Sequence, residues 1–220
     1  MQTFATPAPI AALLTIPAGR IQFVAADRAD TTVEVRPANA AKDRDVKVAE
    51  QTSVEFGDGV LRIVTAAKDQ FFGPSGTIEV TVQVPVGSRI EATAASADFR
   101  AVGAFGDVTY ESSRGSIKVD EAANVRITTL AGDVEVGRLN GSAEIRAAKG
   151  DIRVTEAASG TVVLRTEAGG ISVGVAAGVS ASLDAGTSSG RVSNSLKNDG
   201  TAGLAIHATT AYGDIDAHSL

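Results

Sequence analysis

The sequence predicts an all-β fold, a single-chain β-solenoid (β-helix) with about 18 residues per coil and a β-rich N-terminal cap. The first observation behind this is a returning phrase: Gly132-Asp133-Val134-Glu135-Val136 comes back as Gly150-Asp151-Ile152-Arg153-Val154. The second is a shared period. One series of inward apolar residues runs Phe99, Ile117, Val134, Ile152, Ile171, Val192 and Ile215, with steps of 18, 17, 18, 19, 21 and 23. A companion series runs Ala92, Tyr110, Ile127, Ile145, Leu164, Leu183 and Ile206, with steps of 18, 17, 18, 19, 19 and 23. The third is composition: hydrophobic residues make up 44% of the 220 but aromatics only 4%, with 23 Gly and no Trp. The core must therefore be thin layers of Val, Ile, Leu and Ala, which suit strands punctuated by glycine turns.

A unit of two short strands cannot bury its own apolar face, so units stack in parallel register. The two strands of a unit sit 7 residues apart (127 to 134, 145 to 152, 164 to 171) and then 11 from the next. That spacing disfavours a hexapeptide coil, and a right-handed irregular coil is expected.

Taken in order, residues 1–86 lack the period but read as strands at 20–24, 32–35, 60–64 and 77–84, with loops at 38–45 and 66–76. An open solenoid end invites aggregation, so this portion is expected to be the N-terminal capping region. Residues 87–220 are the repeat region, continuous with the first. Alternation within each unit (Ala143-Glu144-Ile145-Arg146; Ile152-Arg153-Val154) marks one buried face, and glycines at 106, 115, 132, 150, 169 and 213 mark corners. Ile127, Val134, Ile145, Ile152, Leu164 and Ile171 are expected to form stacked aliphatic columns. Near the C-terminus "SNSLKNDGTAG" (193–203) inserts a polar loop, and "GLAIHATTAYGDIDAHSL" is expected to complete the last coil, with Asp214, Asp216 and His218 blunting its outer edge.

The stretch "TIEVTVQVPVGSRIEATAASADF" at 77–99, the serial "RGSIKV", "AGDVEV", "KGDIRV" and "GGISV", and the closing "TAYGDI" at 210–215 together resemble DUF4097, a family of bacterial β-strand repeat proteins labelled "putative adhesins". The resemblance covers nearly the whole chain. It implies a single-chain β-solenoid without established catalytic residues, found near the cell envelope and linked to envelope stress.

Charge and inventory narrow the function. The net charge is −6, and Lys and Arg are scattered singly without the basic stripe that phosphate binding needs, so no nucleic-acid partner is expected. No run reaches the roughly 20 apolar residues of a membrane helix, and no positive charge precedes the Pro-broken apolar run at the N-terminus. A cytoplasmic protein without membrane insertion is the expectation, with association to the cell envelope as the variant. The chain has no Cys, which excludes disulfides and thiolate metal sites. The Gly-Asp pairs at Asp107, Asp133, Asp151 and Asp214 lack the GGxGxD spacing of calcium-binding repeats, so their carboxylates are expected to bond turn N–H groups, with no metal or other cofactor. Only His207 and His218 could serve a Ser-His-Asp set, and neither lies in a nucleophile elbow.

What remains is surface. Parallel stacking would bring the outward residues Lys118, Glu135 and Arg153 side by side with alternating sign, as a register-fixing ladder or a recognition stripe. Phe71 and Phe72, adjacent in the loop "KDQFFGPSG", would plug an open end or form a partner-binding tip. The function expected is a non-enzymatic structural or interaction module offering a flat β face to a protein or glycan, as a monomer or small oligomer. The alternatives are a carbohydrate-active enzyme on a β-helix and a self-polymerising scaffold like the bactofilins.

Overall fold

Alternation of apolar and polar residues becomes, in the computed structural model, a set of parallel ladders each with one buried face. Residues 1–65 and 76–220 are described. They group into two units, Met1–Gly115 and Ser116–Leu220.

The first unit contains β1 (Gln2–Ala5), β2 (Ala11–Ala26), β3 (Asp30–Pro37), α1 (Asp43–Glu50), β4 (Thr52–Gly57), β5 (Val60–Thr65), β6 (Ile78–Pro85) and β7 (Arg89–Arg114). β2 runs around a corner, pairing in parallel with β7 on one side and with β5 and then β6 on the other. Leu14 lies beside Ile63 and Ala92, and Ile21 beside Val80 and Phe99, all buried. The N-terminal apolar run is thus a core strand, with Ala12, Leu14 and Ile16 facing inward. Beyond β5 and β6 the pairing turns antiparallel, with β4 on β5, β3 on β6 and β1 on β3. Phe4 of β1 packs against Phe56 of β4 at 5.3 Å between ring centroids.

Helix α1 begins inside the stretch 38–45 that the sequence reads as loop. Its only deeply buried apolar residue is Val48, which leaves no periodic signal to read. Asp43 and Asp45 occupy its first turn, where the helix dipole favours negative charge. The buried Asp45 carboxylate accepts the Thr77 backbone N–H at 3.0 Å, anchoring the start of β6.

The second unit contains β8 (Ile117–Ala131), β9 (Val134–Leu139), β10 (Ala143–Lys149), β11 (Ile152–Ala157), β12 (Gly160–Ala168), β13 (Ile171–Val175), β14 (Ala181–Ser189), β15 (Val192–Ser195), β16 (Leu204–Tyr212) and β17 (Ile215–Ser219). Among the described residues, the ladders within this unit are parallel, as a β-solenoid requires. The expected columns are present: Ile145 lies between Ile127 and Leu164, and Ile152 between Val134 and Ile171, all buried.

The expected order of the last coils is wrong. β12 pairs with β16, through Val162 with Ile206 and Leu164 with Ala208, and β13 pairs with β17, through Ile171 with Ile215. β14 and β15 lie on the far side of β16 and β17. The strands at 204–219 are therefore not the edge, and Asp214, Asp216 and His218 do not blunt one. The reason is apolar content. Leu204, Ile206, Ala208, Ile215 and Ala217 are at most 1% exposed in the two-sided position, whereas β14 and β15 are mostly Ser, Gly, Thr and Asn, and their Val192 is 46% exposed. The widening steps in the sequence mark an excursion. Val175 stacks on Ala157 and Leu204 on Gly160, so a chain of residues 176–203 replaces the two-residue link Ala158-Ser159 of the coil before.

Candidate interaction surface

The corners set the geometry of every outward face in the second unit. At each, a glycine turns the chain with positive φ, 139° at Gly150 and 155° at Gly169. A Cβ on Gly169 would stand 2.0 Å from the Gly150 carbonyl oxygen, so only glycine permits this close stacking. The following Asp answers the need of an exposed turn. Asp133 Oδ1 accepts the Asp151 N–H at 2.9 Å, Asp151 Oδ1 accepts the Gly170 N–H at 2.7 Å, and Asp214 Oδ1 accepts the Arg191 N–H at 2.8 Å. The last of these bonds, from the Arg191 backbone N–H, together with the Arg191 side chain, holds the Asp214 carboxyl below its usual range.

A third component escapes the sequence reading. The hydroxyls of Thr166, Thr210 and Thr187 donate to the carbonyls of Gly150, Gly169 and Gly213 at 2.9–3.0 Å, each in the neighbouring coil. The signal was a Thr three residues before the corner glycine, at 166/169, 187/190 and 210/213.

On the outward face of the β8–β9–β11–β13 ladder, Lys118 Nζ lies 2.9 Å from Glu135 Oε2, and Glu135 stands in register beside Arg153, which stands beside Ser172. A parallel row brings Arg138 to Glu156 at 2.9 Å. On the other ladder Glu144 is shared by Arg126 at 3.1 Å and Arg146 at 2.6 Å. The stack thus assembles the row expected from Lys118, Glu135 and Arg153. Phe71 and Phe72 lie outside the described residues.

Both histidines are outward and carboxylate-paired, His218 with Asp216 at 2.9 Å and His207 with Asp184 at 3.4 Å. Ser195 is the register neighbour of His218, but the histidine Nε2 lies toward β13, 3.5 Å from where a Cβ on Gly174 would be. The Ser195 hydroxyl is directed to the Ala217 carbonyl, at 3.5 Å. These three residues do not form a relay. Among the described residues no group of three or more His, Asp or Glu is arranged to hold a metal ion.

Depressions lie on each unit among the described residues. One, of about 430 Å³, is lined by Gly178, Val179, Ser180, Lys197, Asn198 and Asp199, and its Asp199 carboxyl is held low by the Ser180 hydroxyl and the Thr201 N–H. Another, of about 280 Å³ in the first unit, sets Arg89, Glu91, Asp107 and Thr109 around Ala11 and Leu13.

A family model, Toastrack DUF4097, matches residues 16–219, which take in the whole parallel stack of the second unit. The chain belongs to the Toastrack DUF4097 family. A solved relative in fold is a "putative adhesin" from Bacteroides fragilis NCTC 9343, 12% identical, covering 98% of this chain and 95% of that one with a TM-score of 0.50. A "putative lipid binding protein" from Parabacteroides distasonis ATCC 8503 is 11% identical over 97% of this chain and 95% of that one, with a TM-score of 0.41. No curated protein matches this Toastrack chain. Among its described residues no helix is long and apolar enough to cross a membrane.

Proposed function

We propose that this Toastrack protein is a non-catalytic interaction module whose ladder faces bind a protein or glycan at the cell envelope. The observation that carries it is the row Lys118–Glu135–Arg153 with the neighbouring pair Arg138–Glu156, charged groups repeated at the strand spacing of about 4.8 Å on a rigid backbone. Exposed pairs of this kind contribute only about 0–1 kcal/mol each to stability, so their value lies in presenting alternating charge to a ligand. The adhesin label of the Bacteroides fragilis fold relative supports a binding role. Phe71 and Phe72 belong to the same proposal as a second, apolar contact.

The test is capture of partners from the native cell and from an array of bacterial glycans, using the protein and a Lys118→Glu/Arg153→Glu variant. We expect at least tenfold weaker capture by the variant with an unchanged melting temperature. A Phe71→Ala/Phe72→Ala variant examines the apolar contact in the same way. Capture that survives the charge reversal removes the row from the proposal, and depolymerisation of a polysaccharide by the pure protein would replace the module with an enzyme. A transcript that rises under envelope stress is expected if the role lies there.

A further inference from the structure

The outermost coil of the second unit, β14 with β15, ends the parallel stack. Among the described residues β14 pairs only with β16, and β15 only with β17. Its inward side chains are only partly covered. Leu183, Ala185 and Thr187 are half-buried and Val192 is 46% exposed, whereas Ile215, stacked on Val192, is 1% exposed. Edges of this kind are protected in natural sheets by Pro, Lys, bulges, inward charge or a covering element. The other end of the sequence has such cover, in antiparallel β1, β3 and β4 with the Phe4–Phe56 contact and α1. β14 and β15 have neither Pro nor Lys, and their ladders are in unbroken register.

The charges select the occupant. Residues 181–195 carry one Asp and one Arg, net zero on a chain of net −6. Both are engaged within the chain, Asp184 by His207 and Arg191 by Asp214. This is where two copies of an acidic chain can meet without repulsion. In an antiparallel pairing of β14 with its own copy centred on Ala185, Leu183 meets Thr187 and Asp184 meets Gly186, so no like charges face each other. The two-fold operation pairs a patch with itself and closes. The Ala181 N–H already bonds the Lys197 carbonyl, which confines the new pairing to about residues 183–187 of β14.

We infer that the β14–β15 edge is a homodimer interface, in which β14 of one copy pairs antiparallel with β14 of another. So short an edge gives a weak, reversible dimer, with a dissociation constant on the order of micromolar.

The experiment uses the full chain. Sedimentation from about 1 to 200 µM should show a reversible monomer–dimer equilibrium, dissociation lying within that range. The chain has no cysteine, so single-thiol variants report contacts directly. Ala185→Cys should form an intermolecular disulfide under mild oxidation, because antiparallel partners lie within bonding range. Ser53→Cys on β4 should not. Leu183→Lys, placing a charge at the open end, should raise the dissociation constant at least tenfold with an unchanged melting temperature. If that variant folds poorly, Ala185→Pro on the edge serves instead. A chain that stays monomeric at 200 µM overturns the inference. Assemblies larger than two, or a disulfide between Ala185→Cys and Ser53→Cys chains, also overturn it, since they mean head-to-tail addition.

Discussion

At the residue scale the corners decide more than the strands do. Gly169→Ala would combine a backbone φ of 155° with a Cβ 2.0 Å from a backbone oxygen, and neither strain can relax without moving the adjacent coil. We expect a loss of about 3 kcal/mol or more, read from urea unfolding, against about 1 kcal/mol for Asp151→Ala, which loses one exposed hydrogen bond. Tyr110 gives a pH signature. Its ring stacks on Phe99 at 4.4 Å between centroids, its hydroxyl donates to the Ala97 carbonyl, and burial pushes its pKa up to about 12. The folded state therefore resists ionisation that the unfolded chain undergoes near pH 10. Stability should be level below pH 10 and fall as the pH rises toward 12, and Tyr110→Phe should flatten that decline. A decline of equal slope in the variant would place its cause elsewhere.

At the scale of the element, burial predicts a gradient. Ile152 is 1% exposed between Val134 and Ile171, so Ile152→Asp buries an unpaired charge and should cost several kcal/mol. Thermal unfolding checks it, and an unchanged melting temperature would be incompatible with the parallel register. Hydrogen exchange should be slowest in β10 to β13 and fastest in β14 and β15, whose side chains are mostly exposed. Period-two alternation made the inner strands legible, because a one-residue slip would have turned Ile145 and Ile152 outward. The rows Lys118–Glu135 and Asp133–Asp151 followed from the same stacking. α1 was illegible because one buried valine makes no pattern, and the Thr-x-x-Gly spacing at the corners went unread because an inward threonine looks like any other small inward residue. The pairing of β16 with β12 was hidden for another reason: periodicity reports which residues share a column and is silent about their order along it.

At the scale of the molecule, that order has consequences for deletion. The link Ala158-Ser159 suffices for the coil before, so removing residues 178–203 and leaving Ala176-Ala177 should join β13 to β16 directly. The shortened chain should keep its β circular-dichroism spectrum and a cooperative melt. Removing 204–220 should be far worse, since it strips β16 and β17 from β12 and β13 and leaves β14 and β15 without a strand to pair with. If the two deletions melt alike, the excursion is integral to the coil. The same order bears on synthesis. A ribosome releases residues 178–203 before the strands that must lie beneath them, so a growing chain carries a coil it cannot yet place. The apolar flank of β12 and β13 stays open until residue 219 has emerged, which makes this stretch of translation the interval in which a chaperone has most to protect.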